Sequence, residues 1–260
     1  MVRYTNANVN SVHRLPHFRE RTEPIKYIII HCSRSNAEKQ IETLDKLKLS
    51  VHYIIGLDGH ITEVVPTDKV AYHAGLSKWF DDEGPSLNSS SIGIELECPD
   101  MGQTETSFTK YQTTRLCWLL DRLVCVYHIR RENILAHSDI APTRKPDPGA
   151  GFPWKKLYRA GLIFWYHEAM PDKSTDDERT LLKNIGYDTE NIYAARYAFC
   201  RRWLPEEVRY EEDIQHLLDN PFPKDFVPQN QQSYIKRLKV VSAAIKRERI
   251  RRYWFPKNIK

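Results

Sequence analysis

The apolar positions of this chain change period along its length, and those changes divide it into elements. Residues 25–33, IKYIIIHCS, make a nearly continuous apolar run that stops at His31, the pattern of a strand covered on both sides of a sheet. From Val51 to Val65, two β-rich runs flank Asp58-Gly59, a strong local signal for a tight hairpin turn. In SSIGIELEC the alternation places Ile92, Ile94 and Leu96 on one face and Gly93, Glu95 and Glu97 on the other. Two carboxylates beside a glycine predict a wet face that something approaches closely.

The period then lengthens. In SFTKYQTTRLCWLLDRLVCVYHI, Leu116, Leu119, Leu120 and Leu123 form a helical stripe, with Thr109 placed to cap its start. Strands interleaved with helix up to about residue 160 predict an α/β class, a mixed central β-sheet flanked by helices. After the polar break MPDKSTDDE only helical signals remain: ERTLLKNIG ended by Gly186, ENIYAARYAFCRRWL, EEDIQHLLDN, and a basic helix beginning near Tyr234. The expected organisation is an N-terminal extension at 1–23, a catalytic domain at 24–172 and a small all-helical domain at 173–260. In the last helix Ile235, Leu238, Val241 (or Ser242) and Ile245 share one face among lysines and arginines. That face fits a helix packed on the protein with a solvated basic exterior, or a docking arm for anionic envelope material.

Composition narrows the picture. At 260 residues, 41% hydrophobic and 28% charged, the chain is an ordinary globular sequence. A net charge of +5, concentrated near the C-terminus, falls short of the basic, aromatic-interleaved stripe of a nucleic-acid binder. Five cysteines, Cys32, Cys98, Cys117, Cys125 and Cys200, contain no CxxC pair and read as reduced core residues. The opening residues lack the apolar stretch of a secretory signal, which favours the cytoplasm, and CWLLDRLVCVYHI is broken by Asp121 and Arg122, so no membrane span is expected.

The chemistry gathers in HSDIAPTRKPDPG, residues 137–149. A residue before proline is pushed toward extended backbone, so Lys145 and Asp147, each followed by proline, project to the same side of a stiff loop. His31 at a strand end, His137 and Asp147 on the loop, and Glu95 on a neighbouring strand form a candidate set. Two histidines and a carboxylate with an open position are the ligand pattern of catalytic zinc; each histidine could equally be a hydrogen-bonded structural residue.

IIIHCS, HYIIGLDGHI, AYHAG, LNSSSIGIELE and HSDIAPTRKPDPG followed by FPW resemble, in order and spacing, the type-2 family of zinc-dependent N-acetylmuramoyl-L-alanine amidases. That family includes AmpD- and AmiD-like enzymes and is similar to peptidoglycan recognition proteins. The resemblance covers about residues 24–160. It implies a mixed sheet with helices packed on it and one zinc per chain, held by His31, His137 and Asp147. It also implies Glu95 as general acid and base, with Glu97 as its rival, and Lys145 as the group that steadies the oxyanion. Substrate contacts are implied for Tyr53, His73, Asn88 and Arg144.

The implied reaction is hydrolysis of the amide between the lactyl group of N-acetylmuramic acid, ordinary or 1,6-anhydro, and L-alanine of the stem peptide. The implied partner is peptidoglycan or a soluble anhydromuropeptide, in bacterial cell-wall turnover and recycling. A monomer is expected. The rival class is a non-catalytic peptidoglycan-binding module, but such modules lack at least one ligand, and here all three positions are filled. More weakly, residues 181–205 resemble the three-helix peptidoglycan-binding domain of AmiD-type enzymes, with Gly186, Tyr187, Phe199 and Arg202 matching its pattern. Cys200 departs from that pattern, which leaves glycan binding and a purely structural cap as alternatives, and such a layout also suits a periplasmic or envelope enzyme.

Overall fold

A computed structural model describes residues 9–10, 15–80, 82, 84–167 and 174–254. The boundary expected at residue 172 and much of the extension expected at 1–23 fall outside these residues. The strands are β1 (Val9–Asn10), β2 (Phe18–Glu20), β3 (Tyr27–Ser33), β4 (Tyr53–Ile55), β5 (Ile61–Glu63), β6 (Lys69–Ala71), β7 (Ser91–Glu97) and β8 (Ile134–Ala136). The helices are α1 (Ala37–Lys46), α2 (Lys110–Tyr127), α3 (His137–Ile140), α4 (Trp154–Arg159), α5 (Glu178–Ile185), α6 (Ile192–Trp203), α7 (Ile214–Asp219) and α8 (Gln231–Trp254).

Six strands form the main sheet in the order β1-β5-β4-β7-β3-β8, while β2 and β6 make a separate antiparallel pair. The β4–β5 hairpin is antiparallel, and β4, β7, β3 and β8 run parallel. The sheet is therefore mixed, as the alternation of strand and helix signals predicts. Gly59 sits at the hairpin with φ +82°, a conformation that costs glycine little. β3 lies between β7 and β8 with every residue but Ser33 buried, which explains its near-continuous apolar composition.

The two faces of the sheet are covered differently. On one, Ile28, Ile30, Cys32, Ile92, Ile94 and Leu96 pack against Leu116, Leu119, Leu120 and Leu123 of α2. Thr109 starts that helix by accepting from Gln112 N–H, and the Gln112 side chain accepts from Thr109 N–H in return, satisfying two donors that a helix end otherwise leaves unpaired. On the opposite face, α1 covers Ile54 and Val64 near one edge. Near the other edge, Ile29 and Leu135 join a single apolar cluster with Leu182, Phe199, Leu238 and Val241 of the C-terminal helices. The helical lobe thus shares a core with the sheet. In α8, Leu238, Val241, Ser242 and Ile245 are buried, whereas Ile235 is 36% exposed. The apolar stripe packs inward, and the helix begins at Gln231, one turn earlier than its sequence suggests.

Candidate metal centre

The centre forms on the second face, in the gap between α1 and the helical lobe. His31 lies inside β3, two residues short of its end, in register with Glu95 of β7. The parallel pairing turns both side chains the same way, and alternation sends Cys32 into the α2-side core. His137 opens α3, a single turn where the sequence suggests only a stiff loop. Asp139 makes that turn possible, because its Oδ2 accepts from Ala136 N–H at 2.8 Å. The chain then returns, and Ser138 N–H donates to the Asp147 carbonyl at 2.9 Å, tying the two ligand-bearing segments together.

Nδ1 of His31 stands 2.9 Å from Nδ1 of His137, which stands 3.1 Å from Asp147 Oδ2. The third side of this triangle, His31 Nδ1 to Asp147 Oδ2, is 3.5 Å. All three residues are buried. Ligand atoms about 2.0–2.1 Å from a tetrahedral ion lie about 3.3 Å from one another, so the donor set fits a small divalent metal.

The ring nitrogens that face outward fix the tautomers. His137 Nε2–H donates to the Ala74 carbonyl at 3.2 Å, leaving Nδ1 with a lone pair. His31 Nε2 meets His73 Nδ1 at 2.9 Å, and His73 Nε2 meets Ser91 Oγ at 3.2 Å. Ser91 O–H in turn donates to the Leu87 carbonyl at 2.6 Å. Donation in one direction along this chain again leaves His31 Nδ1 unprotonated, the arrangement that orients metal-binding histidines.

Electrostatics agree. Burial, reinforced by the charge of His137, pushes His31 down to about 4, so its ring is neutral at pH 7. Burial alone raises the Asp147 carboxyl, but the charge and hydrogen bond of His137, together with His31, outweigh it and hold the group well below the usual carboxylate range. Glu95 behaves oppositely: burial and the charge of Asp147 push it up to about 8, with Lys145 opposing. Its Oε2 is buried without a hydrogen-bond partner among the described residues. Lys145 is half-buried, and its charge acts on both His31 and Glu95.

The other expected site residues are placed variously. Glu97 accepts from Leu57 N–H at 3.2 Å and so supports the hairpin turn. His73 is the body that approaches the glycine of β7: a Cβ on Gly93 would lie 2.6 Å from the His73 ring. Asn88 Oδ1 accepts from His73 N–H at 3.0 Å and Ala74 N–H at 2.7 Å, pegging the loop that carries the supports of both His31 and His137. Arg144 donates to the carbonyls of Ala74, at 3.0 Å, and Leu76, joining that loop to the Asp147 loop. Tyr53 is not brought to the site. It pairs in register with Ile94 on the α2 side, and its hydroxyl donates to Glu63 at 3.3 Å.

Sequence reading alone misses a buried support beneath α3. Asp139 is fully buried and accepts from Arg202 Nη1 at 2.6 Å and from the Tyr187 hydroxyl at 2.7 Å. Arg202 also donates to the Ile134 carbonyl at 3.1 Å. Two residues that match the glycan-binding pattern thus point into the sheet domain, at a carboxylate two positions from His137.

Among known proteins, the N-acetylmuramoyl-L-alanine amidase family Amidase_2 matches residues 21–150. AmiD of Escherichia coli K12 is 36% identical over 155 residues, covering 54% of this chain and 55% of AmiD. AmpD of Enterobacter cloacae, named a 1,6-anhydro-N-acetylmuramyl-L-alanine amidase, is 41% identical over 112 residues, 43% of this chain and 57% of AmpD. The chain therefore matches somewhat over half the length of these curated relatives. The structure of E. coli AmiD with the substrate anhydro-N-acetylmuramic acid-L-Ala-D-γ-Glu-L-Lys superposes with a TM-score of 0.65 at 25% identity, over 88% of this chain and 92% of that one. AmpDh3 of Pseudomonas aeruginosa gives 0.67 at 21% identity over 95% and 98%, a likeness of fold alone. With that match spanning half of its residues, and the fold and the His-His-Asp cluster in agreement, this chain belongs to the N-acetylmuramoyl-L-alanine amidase family.

Proposed function

We propose that the protein is a zinc amidase that cleaves the bond between the lactyl group of N-acetylmuramic acid, including its 1,6-anhydro form, and L-alanine of the stem peptide. The observation that carries this reading is the buried triangle of His31, His137 and Asp147 beside Glu95, whose Oε2 has no hydrogen-bond partner among the described residues. A zinc ion held there would acidify a bound water and polarise the scissile carbonyl.

The remaining work falls to the chain itself. Glu95, in register with His31, accepts the proton of the attacking water and returns it to the departing alanine amine. Its elevated affinity for a proton suits the second role, and positive charge at the ligand triangle would lower it toward the first. Lys145 faces the same centre and offers a cation to the oxyanion developing on the carbonyl, a contribution that needs no rearrangement during reaction. His73, Asn88 and Arg144 hold the backbone of residues 73–76 in place, and we assign them to positioning the groove wall against which substrate lies.

The test is metal dependence on a defined substrate. The purified chain should hold about one zinc, lose amide cleavage of anhydromuropeptide to a chelator, and regain it when zinc is restored, with products read by mass spectrometry. Full cleavage after verified metal removal would sink the reading. Binding of muropeptide without any cleavage, at one zinc per chain, would favour the non-catalytic module.

A further inference from the structure

Behind the loop that carries Asp147, between the sheet domain and the helical lobe, lies a cleft of about 640 Å³, within the size range of small-molecule sites. None of His31, Glu95, Lys145 or Asp147 lines it, but Pro146 and Gly149, on either side of Asp147, do.

The side chain that marks this cleft is Arg201, 3% exposed. Its guanidinium stacks on the Tyr197 ring at 4.6 Å and donates through Nη2 to the Pro221 carbonyl. Nη1 is buried and has no hydrogen-bond partner among the described residues. No carboxylate pairs with it in the ion pairs of the described residues. Its neighbour Arg202 shows what compensation looks like, with Asp139 at 2.6 Å, yet its Nε also lacks a partner among the described residues. A cation taken out of water without an anion is costly, and that cost is removed by a ligand bringing negative charge. Burial accordingly lowers Arg201 to about 10; among the groups that oppose this is the carboxylate of Asp147, which is already held by His137 at 3.1 Å.

The rest of the cleft points the same way. Lys155, Lys156, Arg159 and Arg209 stand exposed at its rim against Glu105 and Glu206, so the entrance attracts anions. The half-buried Trp165 supplies aromatic wall, to which a ring-shaped body can pack.

We propose that this cleft is a second, non-catalytic site that binds a small ring-bearing ligand through a carboxylate or phosphate group seated on Arg201. The shared chemistry is the oxyanion, and its two sources are separable by experiment. Zinc-loaded full chain is titrated with inorganic phosphate at constant ionic strength, followed by calorimetry and by Tm. One saturable site and a rising Tm are expected. Arg201→Met should retain the circular dichroism spectrum and amide hydrolysis while weakening phosphate binding roughly tenfold or more, the scale of a lost charge-assisted hydrogen bond. A second variant, Lys155→Ala with Arg159→Ala, changes only exposed rim residues; it should weaken phosphate binding a few-fold and flatten its salt dependence.

For the carboxylate source, the Glu95→Gln chain is titrated with anhydromuropeptide. Two muropeptides per chain, with the second displaced by phosphate and lost on adding Arg201→Met, identify a peptide carboxylate as the ligand. One muropeptide per chain with the phosphate response intact identifies a phosphate. Absence of both the phosphate response and the second muropeptide, or equal responses with and without Arg201→Met, overturns the site.

Discussion

His31 and His137 each use the ring nitrogen that faces away from the centre to hold a protein group, but what stands behind the two rings differs. Behind His31 is a neutral relay through His73 and Ser91 to the Leu87 carbonyl, all within the residues that the amidase family matches. His137 rests on the Ala74 carbonyl, and its helical turn is clamped from below by Asp139 with Arg202 and Tyr187, the latter two outside the matched region. A neutral relay fixes which nitrogen carries the proton at modest desolvation cost. A buried ion pair fixes the backbone instead, and removing half of it leaves a stranded charge. Ring orientation at this centre is thus a local property of the sheet, whereas placement of α3 depends on the lobe.

The largest expected effect leaves both supports untouched. Glu95→Gln keeps the shape of the site, so zinc content measured by elemental analysis should hold while turnover on anhydromuropeptide falls roughly 10²–10⁴-fold, the range of a general acid and base. If Glu97→Gln shows that fall instead, the proton carrier is the other carboxylate, despite its bond to Leu57.

The next two changes separate the supports. Arg202→Met strands the Asp139 carboxylate, an event that costs on the order of 3–5 kcal/mol. A Tm drop of roughly 2–4 °C per kcal/mol should follow, part of it recovered by adding Asp139→Asn. His73→Asn should do the reverse, with little change in Tm but zinc affinity weakened about 10–100-fold, the scale for lost partners of metal-bound histidines. Chelator competition and a calorimetric scan on both variants give the comparison; equal losses of affinity and Tm in the two would break it.

A smaller, pH-dependent effect tests the electrostatics of the metal-free chain. The folded-state affinity of Glu95 for a proton corresponds to about 8, above its ordinary value of 4.5. A raised group contributes stability that is complete below the unfolded value and lost as pH rises through the folded one. Relative to Glu95→Gln, the wild-type Tm should therefore decline between about pH 5 and 9, and zinc should shrink that decline. His31, lowered to about 4, has the opposite sign, and its contribution is lost as pH falls through that value. A wild-type Tm that tracks Glu95→Gln across the range would show that Glu95 is not held protonated.

What the sequence made legible follows the same division. β3, the β4–β5 hairpin, α2 with its Thr109 cap, and the four polar residues of the centre all follow from local period, turn chemistry and ordered motifs. Gly93 signalled a close approach, though nothing local said that the visitor is His73. Tyr53 shows a limit of motif reasoning: alternation requires it and His52 to face opposite ways, and only the pairing of Tyr53 with Ile94 decides which faces the α2 side. The clamp on Asp139 was illegible, because its partners lie 48 and 63 residues away and a single long-range ion pair leaves no periodic trace. Gly186, Tyr187 and Phe199 look like a ligand-binding pattern in sequence, yet Phe199 is fully buried and Tyr187 is spent on the clamp. Type and spacing reveal chemistry where neighbours in sequence are neighbours in space, and they stop doing so at the lobe.

The smallest effect concerns α8. Its apolar stripe is used in the shared core, so truncation would unfold the lobe and could not isolate a docking role. Lys236, Lys246 and Arg247 remain exposed on its outer surface, where charges are screened beyond about 8–10 Å at physiological salt and individual contacts are weak. Changing all three to glutamate should leave cleavage of soluble anhydromuropeptide unaltered. Co-sedimentation with purified sacculi should fall by about threefold or less at low ionic strength, and the difference should vanish as salt is raised. A loss of sacculus binding that persists at high salt would make the outer face of α8 a specific docking surface, and the lobe would then have a partner on its far side as well as the metal loop on its near one.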